Sequence, residues 1–340
     1  MKEIAFKDLR LIGQGGYGCA YLDISGDIVE KLQQETDLGN REFEIGKRIQ
    51  QIPDFQERFS PVLQESKAIR IAHLLSQPEI KKCKIVKKIY DENAKKNKSI
   101  VFRSYKMRYV GKTEMYSFLK RRIQSSKFTR TCLTVHSYLL ESFKLLVQER
   151  IVHFDIKENN IIMDKDTKVP VIIDFGLAYH MPRPDDASLL KIFSIYSENY
   201  SPWPIDYIFL CFIRKIYGST IIQTDTVVDT AVFFEVLTTI FEKNKVYTTI
   251  KNSDTVKQSW KTYISSFENK PIKDFVFDLY SHWKTWDHYS CAVIFLFFVD
   301  IQYDETTILY LELLNSIVYS IPAKRPSLQK SLQIMRELLH

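Results

Sequence analysis

The chain has no paired-cysteine pattern. Its five cysteines, at 19, 83, 132, 211 and 291, contain no C-x-x-C and make an odd number in 340 residues, a length that folds without covalent staples. Free thiols in a reducing compartment are expected. The chain also lacks a membrane-spanning run: its most apolar stretch, Cys291 to Val299, is far shorter than the roughly 20 residues a bilayer requires. That stretch reads as a buried helix. The N-terminal residues Met1-Lys2-Glu3-Ile4-Ala5-Phe6-Lys7 have no apolar signal core, so a soluble, cytoplasmic protein is expected. No internal repeat or low-complexity segment interrupts the order, and with 45% hydrophobic residues the chain can bury one large or two modest cores.

Charge is mild in sum and uneven in place. The net +7 is concentrated where Lys81, Lys82, Lys84, Lys87, Lys88, Lys95, Lys96 and Lys98 crowd one segment. A solvated, partly disordered insertion that holds no catalytic group, and is dispensable for catalysis, is expected there. A docking site for acidic protein or nucleic acid is the sharper reading, but Tyr90 is the one aromatic residue among the lysines and no aromatic ladder accompanies them. Nucleic-acid binding and membrane insertion are therefore not expected, and a monomer is.

What is present is chemistry at fixed spacing. His153-Phe154-Asp155-Ile156-Lys157-Glu158-Asn159-Asn160 is followed, after the apolar run Val171-Ile172-Ile173, by Asp174-Phe175-Gly176. Asp155 offers a proton acceptor and Lys157 a cation that can swing to phosphoryl oxygens. Asn160 and Asp174 offer hard oxygen ligands suited to Mg2+. Either piece alone could be an ordinary polar loop or a tight turn; in this order they are the equipment of phosphoryl transfer.

These residues resemble the catalytic loop H-R-D-x-x-x-x-N and the metal loop D-F-G of the eukaryotic protein kinase family. Gly13-Gln14-Gly15-Gly16-Tyr17-Gly18 matches its G-x-G-x-x-G loop, with Ala20 where the family usually has valine. A dinucleotide-binding unit shares that spacing but requires a helix directly after the glycines. Here Cys19 to Ile24 reads as a strand and Ser25-Gly26-Asp27 as a hairpin turn. Ile28-Val29-Glu30-Lys31 resembles V-A-I-K, making Lys31 the candidate for the α- and β-phosphates. Of two possible partners, Glu42 has Ile45, Gly46 and Ile49 on its face of a helix, whereas the same offsets from Glu44 would bury Lys47, Arg48 and Gln51.

Met107 to Leu119 resembles the hinge and first large-lobe helix of AGC-type kinases. That resemblance implies Met107 behind adenine, the backbone of Arg108, Tyr109 and Val110 bonding it, and Glu114 near the ribose. The implied fold is α+β and two-lobed: an antiparallel β-rich N-lobe over residues 1–110, with one main helix near 38–51, and a mainly helical C-lobe over 111–340. Asp229, opening an apolar helix, resembles the aspartate that steadies the catalytic loop from below. Ala323-Lys324-Arg325-Pro326-Ser327 resembles the late R-P motif, whose arginine pairs with the glutamate of A-P-E. That glutamate is missing here, and Asp206 either replaces it or the pair is absent.

The resemblance implies an ATP- and magnesium-dependent protein serine/threonine kinase, Lys157 being the serine/threonine pattern. A small-molecule kinase of the aminoglycoside or choline type and a pseudokinase scaffold are the alternatives. The glycine loop, D-F-G and Arg-Pro oppose the first, and Lys31, Glu42, Asp155, Asn160 and Asp174 oppose the second. Heavy use of Ile, Lys, Phe and Tyr and the segment Ser201-Pro202-Trp203-Pro204 resemble kinases of large DNA viruses. Phe154 stands where regulated kinases carry the arginine that engages a phosphate. Ser188, Ser194 and Ser197 would thus have no arginine there to meet, and activity without upstream kinases is expected.

Overall fold

The computed structural model describes residues 9–14, 18–65, 69–70, 78–94, 101–184, 189–250, 252–299 and 304–340. Contacts divide the chain into two compact units, one of residues 1–114 and 160–178, the other of 115–159 and 179–340. The class is α+β, with antiparallel strands dominating the first unit and helices the second.

In the first unit, strands β1 (Leu9–Gln14), β2 (Gly18–Asp23) and β3 (Ile28–Gln34) form a meander. The β2–β3 turn is fixed by Asp23, whose Oδ1 accepts the N–H groups of Gly26, Asp27 and Ile28 at 3.1–3.2 Å, while Gly26 takes a positive φ of 78° that suits glycine. Helix α1 (Asp37–Ile49) follows, its first turn capped by Thr36, whose hydroxyl accepts from the Gly39 N–H. Short strands β4 (Phe59–Ser60), β5 (Gln64–Glu65) and β6 (Ile69–Arg70) precede helices α2 (Pro78–Lys81) and α3 (Lys84–Ala94). Strand β7 (Val101–Arg108) completes a sheet of order β1-β2-β3-β7-β5, with β6 also on β7. Strands β8 (Thr113–Glu114), β9 (Ile161–Met163) and β10 (Pro170–Ile173) make a second sheet in which β4 runs parallel to β10.

Two expectations are corrected in this unit. The lysine-rich segment is not simply a solvated insertion. Ile80, Cys83 and Val86 are fully buried with Leu9, Cys19, Tyr21, Leu32 and Phe102 in one apolar cluster, while Lys81, Lys82, Lys84, Lys87 and Lys88 point outward. Lys95, Lys96 and Lys98 lie outside the described residues. Nor are all thiols free: Cys19 and Cys83 are joined in a disulfide, and only Cys132, Cys211 and Cys291 are free, all buried. Removing this segment would therefore strip part of a core from β1 and β2, and it is not dispensable to the fold.

The bridge spans 64 residues, a loop whose closure the chain-entropy relation values at about 4 kcal/mol. Cys83→Ser is expected to lower unfolding stability by roughly 2–4 kcal/mol. Dithiothreitol should lower the wild-type denaturation midpoint in the same way and leave that of the variant in place. Coincident wild-type curves with and without reductant would show that the bridge does not stabilise the protein.

The second unit opens with α4 (Met115–Lys120) and the long α5 (Phe128–Gln148). Ile151–Val152 then pairs with Tyr179–His180 in a two-residue ladder. Helices α6 (Ile205–Tyr217), α7 (Thr230–Lys243), α8 (Lys245–Thr248), α9 (Ser253–Ser265), α10 (Ile272–Ser281), α11 (Trp286–Phe298), α12 (Glu305–Val318) and α13 (Leu328–Leu339) complete it. α11 contains all of the apolar run at 291–299 but its last residue, and is buried on nearly every side. Among the described residues, no helix is long and apolar enough to cross a membrane.

Candidate functional site

Within the first unit, cross-strand register gathers three of the sequence candidates. Gly13 on β1 lies opposite Ala20 on β2, and Ala20 lies opposite Lys31 on β3. Gly18 begins β2 opposite Gln33, whereas Gly15 falls outside the described residues. From β3, Lys31 Nζ reaches both carboxylate oxygens of Glu42 at 3.0 Å and Asp174 Oδ1 at 2.9 Å. Glu44 points outward and pairs with Lys47.

One glycine is required for the close approach of α1 beside this trio. A Cβ on Gly46 would stand 2.2 Å from the Val62 carbonyl oxygen, so only glycine lets α1 approach that chain one turn beyond Glu42. Gly176 lies beside the trio, where a Cβ would be in ordinary contact, at 3.4–3.8 Å, with Asp174 Oδ1, Glu42 Oε2 and Lys31 Nζ. Asp174 itself has a positive φ of 61°, which turns its carboxylate at the end of β10, and Phe175 packs edge-on against Phe59.

The electrostatics of the trio favour a permanent cation. Burial works to lower the pKa of Lys31, but the carboxylates of Glu42 and Asp174 outweigh it and hold the amine protonated, above its ordinary value. Glu42 is only 2% exposed, so this ammonium is what makes its burial tolerable.

The stretch from Met107 to Glu114 continues from β7. Met107 lies opposite Val29. The Tyr109 N–H donates to the Asp27 carbonyl at 2.7 Å, the Arg108 carbonyl accepts from Ser60 Oγ at 2.8 Å, and the Val110 carbonyl accepts from the Lys165 N–H at 2.9 Å. Glu114 on β8 faces Ile162. Arg108 also pairs with Asp164 at 2.8 Å. Burial pushes that carboxyl up, but Arg108 and the N–H groups of Thr167 and Asp166 prevail and hold it down to about 2. Asn160 is buried at the end of a 3-10 turn and leads directly into β9.

Asp155 and Lys157 belong to the second unit, where Lys157 Nζ donates to Asp155 Oδ2 at 2.9 Å. The loop that carries them is held from its own backbone. Asp287, at the start of α11, accepts the N–H of His153 at 2.8 Å and of Phe154 at 3.1 Å. His153 Nδ1 in turn accepts the Asp155 N–H at 3.2 Å. This corrects the expectation for Asp229, which is exposed and caps α7 through the Ala231 N–H. Both aspartates open apolar helices, so the local pattern did not distinguish them.

Phe154 has a positive φ of 63°, and its buried ring packs on Tyr207 and Trp286. Its carbonyl accepts from Trp203 Nε1 at 2.7 Å. Asp206 does pair with the late arginine: Arg325 Nη2 meets Asp206 Oδ1 at 2.7 Å, both side chains essentially fully buried. Tyr200 and Asp287 were not singled out in the sequence, and Trp203 was noted only within the Ser201 to Pro204 segment without a role, because their partners are distant in the chain.

Residues 47–203 match the family model of the protein kinase domain. The matched span holds His153 to Asn160 and Asp174 to Gly176; Lys31, Glu42 and Arg325 lie outside it. The β-rich N-terminal sheet and helical C-terminal part are consistent with the two-lobed fold of that family. The matched stretch is a little under half of the chain, and it is similar to a protein kinase domain.

Proposed function

We propose that the chain is a protein serine/threonine kinase that uses ATP and magnesium. The observation that carries this reading is the Lys31–Glu42–Asp174 trio, a charged amine held rigidly beside a metal-type carboxylate. A scaffold that only bound partners would need no ammonium held between a buried glutamate and a half-exposed aspartate. In this reading Lys31 holds the α- and β-phosphates, and Gly13, Gly15, Gly18 and Ala20 let the backbone approach the nucleotide. Met107 borders adenine and Glu114 meets the ribose. Val110 supplies the amide donor to the base, since the Tyr109 N–H already bonds Asp27.

Asn160 and Asp174 fit magnesium, which takes hard oxygens and is commonly held by one or two carboxylates with substrate phosphates. When bound, it neutralises phosphate charge. Asp155 accepts the proton of the incoming hydroxyl, and Lys157 moves from Asp155 toward the phosphoryl oxygens as charge develops there. Its position two residues after the base supports serine and threonine as acceptors. The composition and the Ser201 to Pro204 segment support a member of the large-DNA-virus type.

Purified protein supplied with labelled ATP, magnesium and a generic basic protein is expected to yield phosphoserine and phosphothreonine. Label that appears only on a small-molecule alcohol, or on tyrosine alone, would overturn the assignment.

A further inference from the structure

The second unit holds a contact that the motifs do not account for. Asp155 accepts two side-chain donors on different oxygens: Lys157 Nζ on Oδ2 and the Tyr200 hydroxyl on Oδ1. Tyr200 is not isolated on its segment. Its ring meets Trp203 edge-on at 4.7 Å, and Trp203 donates its indole N–H to the carbonyl of Phe154, the residue before Asp155. Ser290 on α11 donates to the Pro202 carbonyl between them at 2.6 Å.

The catalytic loop is thus gripped from two directions. Asp287 takes the N–H of Phe154 and Trp203 fills its carbonyl, so the peptide groups on both sides of this positive-φ residue are fixed. Burial, and then the neighbouring Asp155 carboxylate, push the Tyr200 phenol well above its ordinary value. It stays protonated and is a donor throughout the working pH range.

We propose that Tyr200 is a positioning residue for the phosphoryl-transfer base: its hydroxyl sets the rotation of the Asp155 carboxylate, and the Tyr200–Trp203 pair holds the segment on the catalytic loop by aromatic and hydrogen-bond contacts. This rests on the reading of Asp155 as the base. Holding the segment in this way needs no phosphate, and Phe154, where a phosphate-binding arginine would otherwise stand, is part of the same aromatic cluster.

The test compares Tyr200→Phe with Asp155→Asn in the full chain, made without upstream kinases and assayed with labelled ATP and a basic protein. Tyr200→Phe keeps the ring against Trp203 and removes only the donor. Its kcat is expected to fall about tenfold, the equivalent of one charge-assisted hydrogen bond, with KM for ATP within about twofold of wild type. That split between kcat and KM is the mark of a misplaced base, whereas a role confined to packing would lower the unfolding temperature and leave kcat per folded molecule unchanged. Wild-type kcat in Tyr200→Phe, alongside an inactive Asp155→Asn, would overturn the positioning role and leave the kinase reading standing. Full activity in Asp155→Asn would instead overturn the reading of Asp155 as the base, and no phosphorylation by the wild-type protein would overturn the kinase reading.

Discussion

Asp174→Ala is expected to lose phosphoryl transfer by about 10³-fold or more, because the substitution removes the only carboxylate assigned to magnesium. The same variant should unfold close to wild type. Asp174 has a half-exposed side chain, and without it Lys31 still has both oxygens of Glu42 at 3.0 Å. Lys31→Ala makes a useful contrast. It should also abolish transfer by misplacing the phosphates, but it strands the buried Glu42 carboxylate, which must then take a proton or destabilise the unit. Single-turnover assays and thermal unfolding of both variants separate the two effects. Wild-type turnover in a normally folded Asp174→Ala protein would remove the carboxylate from the mechanism, while equal unfolding temperatures for Lys31→Ala and Asp174→Ala would show that Glu42 finds another partner.

The residues of this argument were legible in the sequence where chemistry dictates both type and spacing. Asp155, Lys157, Asn160 and Asp174 lie within 20 residues, and the choice of Glu42 over Glu44 followed from which helix face could be buried. Long-range contacts were not legible. Asp287 bonds a loop 134 residues earlier in the chain, and its only local mark, an acid opening an apolar helix, is shared with Asp229. The lysine-rich segment failed for a different reason: counting charges hid the spacing of Ile80, Cys83 and Val86, an apolar stripe at every third residue. Such a spacing, here carried across two adjoining short helices, is a packing signal even among eight lysines. Once that face packs on β2, it also brings Cys83 to Cys19.

Asp206 shows how a family departure is absorbed, and it yields the largest expected effect on stability. The aspartate is one methylene shorter than the glutamate of the resembling motif, yet its oxygens accept Arg325 Nη2 at 2.7 Å, Arg325 Nη1 at 3.3 Å and Trp286 Nε1 at 2.6 Å. Arg325 has a further acceptor in Thr285 at 2.9 Å. Burial works to lower the guanidinium pKa, but Asp206 outweighs it, so the arginine stays charged inside the core. Asp206→Ala removes the countercharge and leaves that cation in a site with no water access, at a cost of about 3–5 kcal/mol. At roughly 2–4 °C per kcal/mol, the unfolding temperature should fall by roughly 6–20 °C. Trp286 would also lose its acceptor, and its ring packs on Phe154 beside the catalytic loop, so activity should fall even below the unfolding transition. The double variant Asp206→Leu/Arg325→Met is the deciding measurement. Replacing both charges by apolar groups of similar bulk removes the stranded cation, and it should recover most of the lost stability. If the single variant unfolds within about 1 kcal/mol of wild type, the site admits water and the pair is not sealed; if the double variant is no better than the single, the loss comes from packing rather than from uncompensated charge.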